Sequence, residues 1–269
     1  MNQASLFDDA PASAPSRPPL VAPSGARPAR PYQLEAADAV EMEWTTHRST
    51  LLVMPTASGK TRCATEILAR RKHLGRSLFI AQREELIQQA ARAISRDADL
   101  TTEIEMAHDY AALDGDIFGS RSDVVVASVQ SLHERRLKRW PRDAFKTVFV
   151  DEGHHATSKS HRAVLDWFAG AKVCALTATP DRGDKVGLKA VFESCAYNYE
   201  IRTAIQDGWI VPIRMLAVQC ADLDISAIKT VRGDLSEGDL EQAMSVDKVL
   251  HEIAGPLVRE AGTRQTIVF

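Results

Sequence analysis

Two short strings carry the chemistry of this chain. Met54-Pro55-Thr56-Ala57-Ser58-Gly59-Lys60-Thr61 leads from an apolar run into a helical pattern, and Val148-Phe149-Val150-Asp151-Glu152-Gly153-His154 is an apolar run ending on two carboxylates. A loop of the first kind rings a phosphate. The backbone N–H groups of residues 56 to 61 converge at a helix N-terminus, where aligned peptide dipoles favour an anion. The Lys60 ammonium suits the β/γ-phosphates and the Thr61 hydroxyl suits Mg²⁺. Pro55, Thr56, Ala57, Ser58, Gly59, Lys60 and Thr61 are therefore the candidate phosphate ligands. The strict pattern G-x-x-x-x-G-K-[ST] is not kept, because Met54 takes its first position. Asp151 is placed to hold Mg²⁺, through water, and Glu152 to orient and deprotonate an attacking water. Two carboxylates at a strand end are by themselves only a turn. With a phosphate loop in the same chain they point to a nucleoside triphosphate and magnesium, with Glu152, Lys60 and Asp151 as the candidate catalytic residues.

The surrounding pattern supplies elements that can position these groups. Helices are expected over residues 33–46, 61–73 and 84–94, and strands over 49–54, 77–81, 123–127, 146–150 and 172–176. Continuous apolar strands separated by helices indicate an α/β fold, a parallel sheet with helices on both faces. Right-handed crossovers place the loops that follow the strands along one edge, where open α/β sheets bind ligands. Both strings fall there.

Composition narrows the class. The chain has 269 residues, 45% hydrophobic and 26% charged, with net charge −3. That mix suits a globular protein with a sizeable core, and any basic surface for nucleic acid must be local. Cys63, Cys174, Cys195 and Cys220 form no C-x-x-C pair. Their scatter argues for a reducing compartment and against a disulfide framework or zinc site. No apolar run is long enough to span a membrane and no signal pattern opens the chain, so a cytoplasmic location is expected. His154, His155 and His161 lie close in sequence, but no cysteine or further carboxylate cluster supports a metal site there.

A third string, Leu176-Thr177-Ala178-Thr179-Pro180, completes a resemblance. Phosphate loop, Asp-Glu-x-His and Thr-Ala-Thr in this order resemble the first motor domain of superfamily 2 DEAD/DEAH-box helicases, in the group resembling the type III restriction enzyme helicase subunit. The likeness runs from about Arg30 to Pro212. It implies a RecA-like P-loop NTPase domain and an ATP hydrolase coupled to movement on nucleic acid. DNA is favoured over RNA, at a single strand or duplex junction. Within that resemblance Gln33 of Arg30-Pro31-Tyr32-Gln33 reads the adenine edge. His154, Thr177 and Thr179 couple hydrolysis to movement. Arg83, in Ile80-Ala81-Gln82-Arg83-Glu84-Glu85-Leu86, and Ser128 and Gln130, in Val126-Ala127-Ser128-Val129-Gln130-Ser131, lie on the strand-binding segments. A hydroxyl and N–H groups at a helix start after Ser128 would suit phosphate contact, which carries no base information. Gln82 stands where the family usually has His, Ser128 where Thr is usual, and Gly153 where Ala is usual. The last change removes only a methyl, and activity is expected to survive it. A P-loop kinase or nucleotide switch is disfavoured, because those lack Thr-Ala-Thr here. The alternative that stays open is an ATP-gated nucleic-acid-binding module with little turnover.

Four segments are expected: a Pro/Ala-rich disordered tail over 1–29, a helicase ATP-binding domain over 30–215, a linker over 216–245, and the start of a truncated second RecA-like domain over 246–269, helical to residue 261 with a strand at 265–269. The family's second domain supplies an arginine finger, so the first alone is expected to turn over weakly. Ser5-Leu6-Phe7-Asp8-Asp9 in the tail is a possible docking peptide for a protein partner. The basic run His133-Glu134-Arg135-Arg136-Leu137-Lys138-Arg139-Trp140-Pro141-Arg142 is either a nucleic-acid patch with Trp140 as a stacking group or a solvated helix end.

Overall fold

Seven strands pair side by side in one parallel sheet. They are β1 (Ser49–Val53), β2 (Ser77–Ala81), β3 (Thr102–Glu105), β4 (Val124–Ser128), β5 (Thr147–Val150), β6 (Lys172–Thr177) and β7 (Ser194–Asn198), in the order β3-β4-β2-β5-β6-β1-β7. The computed structural model describes residues 28–113, 121–179, 187–217, 223, 228, 230–231 and 234–267. Most of the 1–29 tail with Ser5–Asp9, together with Pro180 and Cys220, lies outside them.

The side chains explain the layering. Successive residues of a strand point to opposite faces. Leu52, Phe79, Val124, Val126, Phe149 and Cys174 share one core with Val40 of α1 (Pro31–Glu43), Ile67 of α2 (Lys60–Arg71) and Ile87 of α3 (Glu84–Ala98). The alternate set Val53, Ile80, Val125, Val148, Val150 and Val173 packs against Leu137 of α4 (Glu134–Leu137), Val164 of α5 (Lys159–Trp167), Trp140 and Phe168. Helices therefore cover both faces, as the continuous apolar runs require. Cys63 and Cys174 are buried within the first core, and burial raises both thiol pKa values, Cys63 to about 12.

The sequence pattern missed the two edge strands. β3 (Thr-Glu-Ile-Glu) is only partly buried and β7 mixes half-buried with exposed residues, because an edge strand has one neighbour and needs no continuous apolar run. Ser128 differs from expectation too. Its carbonyl accepts the N–H groups of Ser131 (3.1 Å) and Leu132 (3.2 Å) in a turn, and the next helix, α4, begins only at Glu134.

Trp140 corrects the stacking reading of the basic run. It is 2% exposed and packs on Phe145 with ring centroids 5.0 Å apart, so no base can reach it. Arg136 is buried as well, against Glu105, so the run is not a plain solvated helix end either.

The chain divides after Val211 into a second unit, Pro212 to Phe269. α6 (Ile201–Gln206) closes the first unit, and the second holds a short antiparallel pair, β8 (Thr230–Val231) and β9 (Asp234–Leu235), then α7 (Glu237–Met244) and α8 (Asp247–Ala261). The helix expected over 246–261 is α8, whereas Gln265–Ile267 form no strand and residues 268–269 lie outside the described set. Among the described residues no helix is long and apolar enough to cross a membrane.

Candidate nucleotide site and nucleic-acid edge

The carboxyl ends of β4, β2, β5, β6 and β1 follow one another along one edge, and every candidate motif sits on it. β1 runs into the phosphate loop. Met54 is fully buried there, its Sδ 3.5 Å from Cys63 Sγ, and its N–H donates to the Thr177 carbonyl at 2.9 Å. Its side chain thus goes down into the core while the backbone turns up into the loop, which is why this position does without glycine. Two later residues do need left-handed backbone: Ala57 at φ 66° and Gly59 at φ 86°. At Gly59 a Cβ would also stand 2.5 Å from Gln33 Nε2 and push that side chain aside, so glycine suits this position best.

This turn aims the loop's backbone inward. Ser58 is tied back, its N–H (3.3 Å) and Oγ (2.6 Å) both donating to the Pro55 carbonyl. Among the described residues the N–H groups of Thr56, Ala57, Gly59, Lys60 and Thr61 donate to no backbone carbonyl. Unpaired donors at the first turn of α2 make an anion cradle, and this donor set fits a polyphosphate.

Gln33 is 3% exposed and braces the loop. Its Oε1 accepts the Arg30 N–H (2.9 Å) and its Nε2 donates to the Ser58 carbonyl (3.0 Å), which also accepts the Tyr32 hydroxyl (2.6 Å). A side-chain amide has two donor hydrogens and two acceptor lone pairs, so one of each remains. Around Tyr32 stand Tyr199, stacked at 4.6 Å, and Trp209, edge-on at 5.7 Å with the Arg30 guanidinium 4.7 Å above it. The Tyr199 hydroxyl donates to Asp207 at 2.6 Å. Nothing in the sequence singles out Tyr199, Asp207 or Trp209, because folding alone brings them to Tyr32.

The carboxylates sit two strands from the loop, with β6 between. The Asp151 N–H donates to the Ile80 carbonyl (2.8 Å), and Asp151 Oδ1 accepts the Glu152 N–H (3.0 Å). Burial raises the Asp151 pKa, and Glu152's charge adds to this. The Glu152 N–H bond and the Lys60 and His154 charges oppose it. A carboxylate in that setting favours a cation beside it, and the oxygen donors of Asp151 and Thr61 are of the hard kind Mg²⁺ takes.

Glu152 is a non-glycine residue in left-handed backbone, φ 49°. Such conformations cost about 1–3 kcal/mol and persist where the surroundings enforce them. Here a 3₁₀ turn, Gly153–His155, follows directly, and His154 Nδ1 lies 3.3 Å from Glu152 Oε2. Gly153 shows how tightly the turn is held. A Cβ there would be 2.7 Å from Ala175 Cβ and 3.4 Å from the Leu176 carbonyl. The turn lies so close to β6 that an added methyl would force one of the two to shift.

Between the two motifs lies Thr177. It is fully buried, its hydroxyl exchanging bonds with Thr179 (Oγ1 to carbonyl 3.1 Å; Thr179 N–H to Oγ1 3.2 Å) while its carbonyl holds Met54. Thr179 is exposed. Farther along, Ala81 of β2 pairs with Ser128 of β4. This places Arg83, exposed at the start of α3, beside Ser128, whose hydroxyl donates to Gln130 Oε1 at 2.6 Å. His161, close in sequence to His154 and His155, feels the His155 charge but takes its hydrogen bond from the start of its own helix. It is buried, bonded to Ser158 Oγ at 2.8 Å, and burial lowers its pKa to about 4.

Comparison with known proteins places this arrangement. The profile of the family described as "Type III restriction enzyme, res subunit" matches residues 27–182. The putative ATP-dependent helicase IRC3 of Saccharomyces cerevisiae is 29% identical over 204 residues, covering 72% of this chain and 28% of that protein. The type I restriction enzyme EcoAI endonuclease subunit of Escherichia coli is 28% identical over 281 residues, covering 91% of this chain and 33% of that one. The chain thus spans about a third or less of these relatives' length. A solved nuclease-deletion mutant of the type ISP restriction-modification enzyme LlaGI, in complex with a DNA substrate mimic, superposes with TM-score 0.55 at 18% identity, over 68% of this chain and 21% of that chain. The fold is RecA-like.

Proposed function

As the chain belongs to the family of the type III restriction enzyme res subunit, we propose that its first unit is the ATP-binding half of a superfamily 2 motor that hydrolyses ATP to move on nucleic acid. The observation that carries this reading is the strand order at one edge. The phosphate loop on β1, the Thr177 carbonyl on β6 that holds Met54, and Asp151-Glu152 on β5 are consecutive neighbours.

The roles follow from that order. The five N–H groups of the loop and the Lys60 ammonium bind the β- and γ-phosphates. Gln33 keeps one donor and one acceptor beyond its bonds to Arg30 and Ser58, the pair that adenine N7 and N6 would meet once this buried side chain turns outward. Mg²⁺, when bound, would be held by Asp151 and the Thr61 hydroxyl and would supply charge neutralisation between the β- and γ-phosphates. Glu152 takes a proton from water as the water oxygen bonds to the γ-phosphorus and the bond to the ADP oxygen breaks. His154, 3.3 Å from Glu152, and Thr177 with Thr179 sense which state the site is in. Thr177 is suited to this because it touches the loop by its backbone and Thr179 by its hydroxyl. Arg83, Ser128 and Gln130 contact the backbone of a strand crossing the same edge, so tracking is independent of sequence. DNA is the favoured track, a choice supported by the DNA complex of the LlaGI relative. Unpaired cysteines, two of them buried in one core, support a reducing compartment such as the cytoplasm.

ATP hydrolysis with and without single-stranded DNA or RNA tests the proposal. Stimulation by a strand supports the motor, and the better stimulant names the track. ATP bound but never hydrolysed faster with either strand would replace the motor by an ATP-gated clamp.

A further inference from the structure

The basic run that follows β4 takes no part in the nucleotide chemistry, yet two of its arginines converge on one exposed ring. Tyr110, on the loop that leaves β3, is 59% exposed. The Arg136 guanidinium lies 3.7 Å from the ring centroid and that of Arg139 lies 4.8 Å away. Both reach the same Glu105 oxygen, at 2.7 and 3.6 Å, so one buried carboxylate holds both cations at the ring. Glu105 is fully buried, and its second oxygen accepts the Ala111 N–H at 2.9 Å. Arg136 donates further to the carbonyls of Ala107 (2.8 Å) and Asp109 (2.6 Å). The loop around the tyrosine is therefore bonded at three points, while the tyrosine itself stays exposed.

Position gives this ring a use. Glu105 pairs with Ala127, which brings the loop level with the Ser128 turn, and the Ala107 N–H donates to Ser131 Oγ at 3.0 Å. Tyr110 thus stands at the same carboxyl edge as Arg83, Ser128 and Gln130, one strand farther out. A flat aromatic held by its surroundings loses little freedom when a second ring lies on it. The partly exposed Arg139 guanidinium beside the ring adds attraction for a strand's phosphates.

The geometry points to Tyr110 as a stacking platform for an unpaired nucleobase, which extends the strand track past Ser128 to the β3 edge. This rests on the nucleic-acid motor reading and deepens it. Stacking needs a free base face, so the platform takes single strand and not intact duplex at this point, and it accepts any base.

The test uses the whole chain, a fluorescent oligothymidylate, an oligonucleotide of equal length with abasic sites, and one carrying 2-aminopurine. Tyr110→Ala should weaken oligothymidylate binding about 5- to 150-fold and abolish the quenching of 2-aminopurine. Tyr110→Trp should keep both, and the abasic strand should bind wild type and Tyr110→Ala alike. Equal affinity of wild type and Tyr110→Ala for oligothymidylate, or an equal loss on the abasic strand, overturns the platform and leaves the motor standing. Failure of wild type to bind any strand overturns both.

Discussion

Gly153→Ala is the sharpest probe of how the turn after Glu152 is held. The added Cβ would lie 2.7 Å from Ala175 Cβ, whereas carbon atoms in contact sit about 3.5–4.0 Å apart. One side must therefore move by roughly 1 Å. Ala175 cannot give way easily, because β6 is paired to β5 on one side and to β1 on the other. The movement falls on the 3₁₀ turn and on Glu152, whose left-handed backbone precedes it. Overpacking of this kind costs about 1–3 kcal/mol, which in a domain of this size lowers Tm by about 2–12 °C. Removing the opposing methyl should relieve the clash: Ala175→Gly alone costs about 0.5–1 kcal/mol, and the double variant should melt above Gly153→Ala. The coupling free energy, from denaturant melts of all four proteins, is expected at about 1–2 kcal/mol favouring the double variant. ATP turnover should fall in Gly153→Ala and return in part with Ala175→Gly. A Gly153→Ala protein with wild-type Tm and no coupling to Ala175 would refute the steric argument.

Other substitutions separate the remaining roles. Lys60→Ala should weaken ATP binding about 10- to 100-fold, the loss of one charged hydrogen-bonding group, read by titration with a fluorescent ATP analogue. Glu152→Gln should keep ATP binding and lower turnover about 10²- to 10⁴-fold; normal hydrolysis would remove Glu152 from the base role. Arg136→Ala leaves the Glu105 carboxylate buried without its closest cation, and urea melts should show a loss of about 3–5 kcal/mol. His161 has a folded-state pKa of about 4 against about 6.5 unfolded. The unfolded chain therefore binds more protons between those values, so this contribution is fully present above pH 6.5 and is lost as pH falls towards 4. His161→Gln should flatten that part of the stability profile, by up to about 3 kcal/mol.

The sequence alone located the candidate residues of the edge and most of the sheet. Gly59-Lys60-Thr61 and Asp151-Glu152 are local strings whose function depends on their own backbone and on the strand just before each, so spacing and polarity reveal them. The inner strands were legible for the same kind of reason, since burial on both faces demands an unbroken apolar run. The edge strands β3 and β7 meet no such demand and left no pattern. Tertiary structure decided everything that depends on which residues meet across the chain. Gly153 needs glycine only because Ala175 of β6 lies 2.7 Å from its missing methyl. Met54 dispenses with glycine only because its side chain finds Cys63 in the core. The basic run left two readings open, a patch with Trp140 stacking or a solvated helix end, and contacts refute both: packing against Phe145 buries Trp140, while Arg136 and Arg139 are drawn to Glu105 beside Tyr110. A string of residues states charge and size. Which neighbour neutralises the charge or fills the space is fixed by contacts between segments far apart in the chain, and those exist only once the sheet has formed.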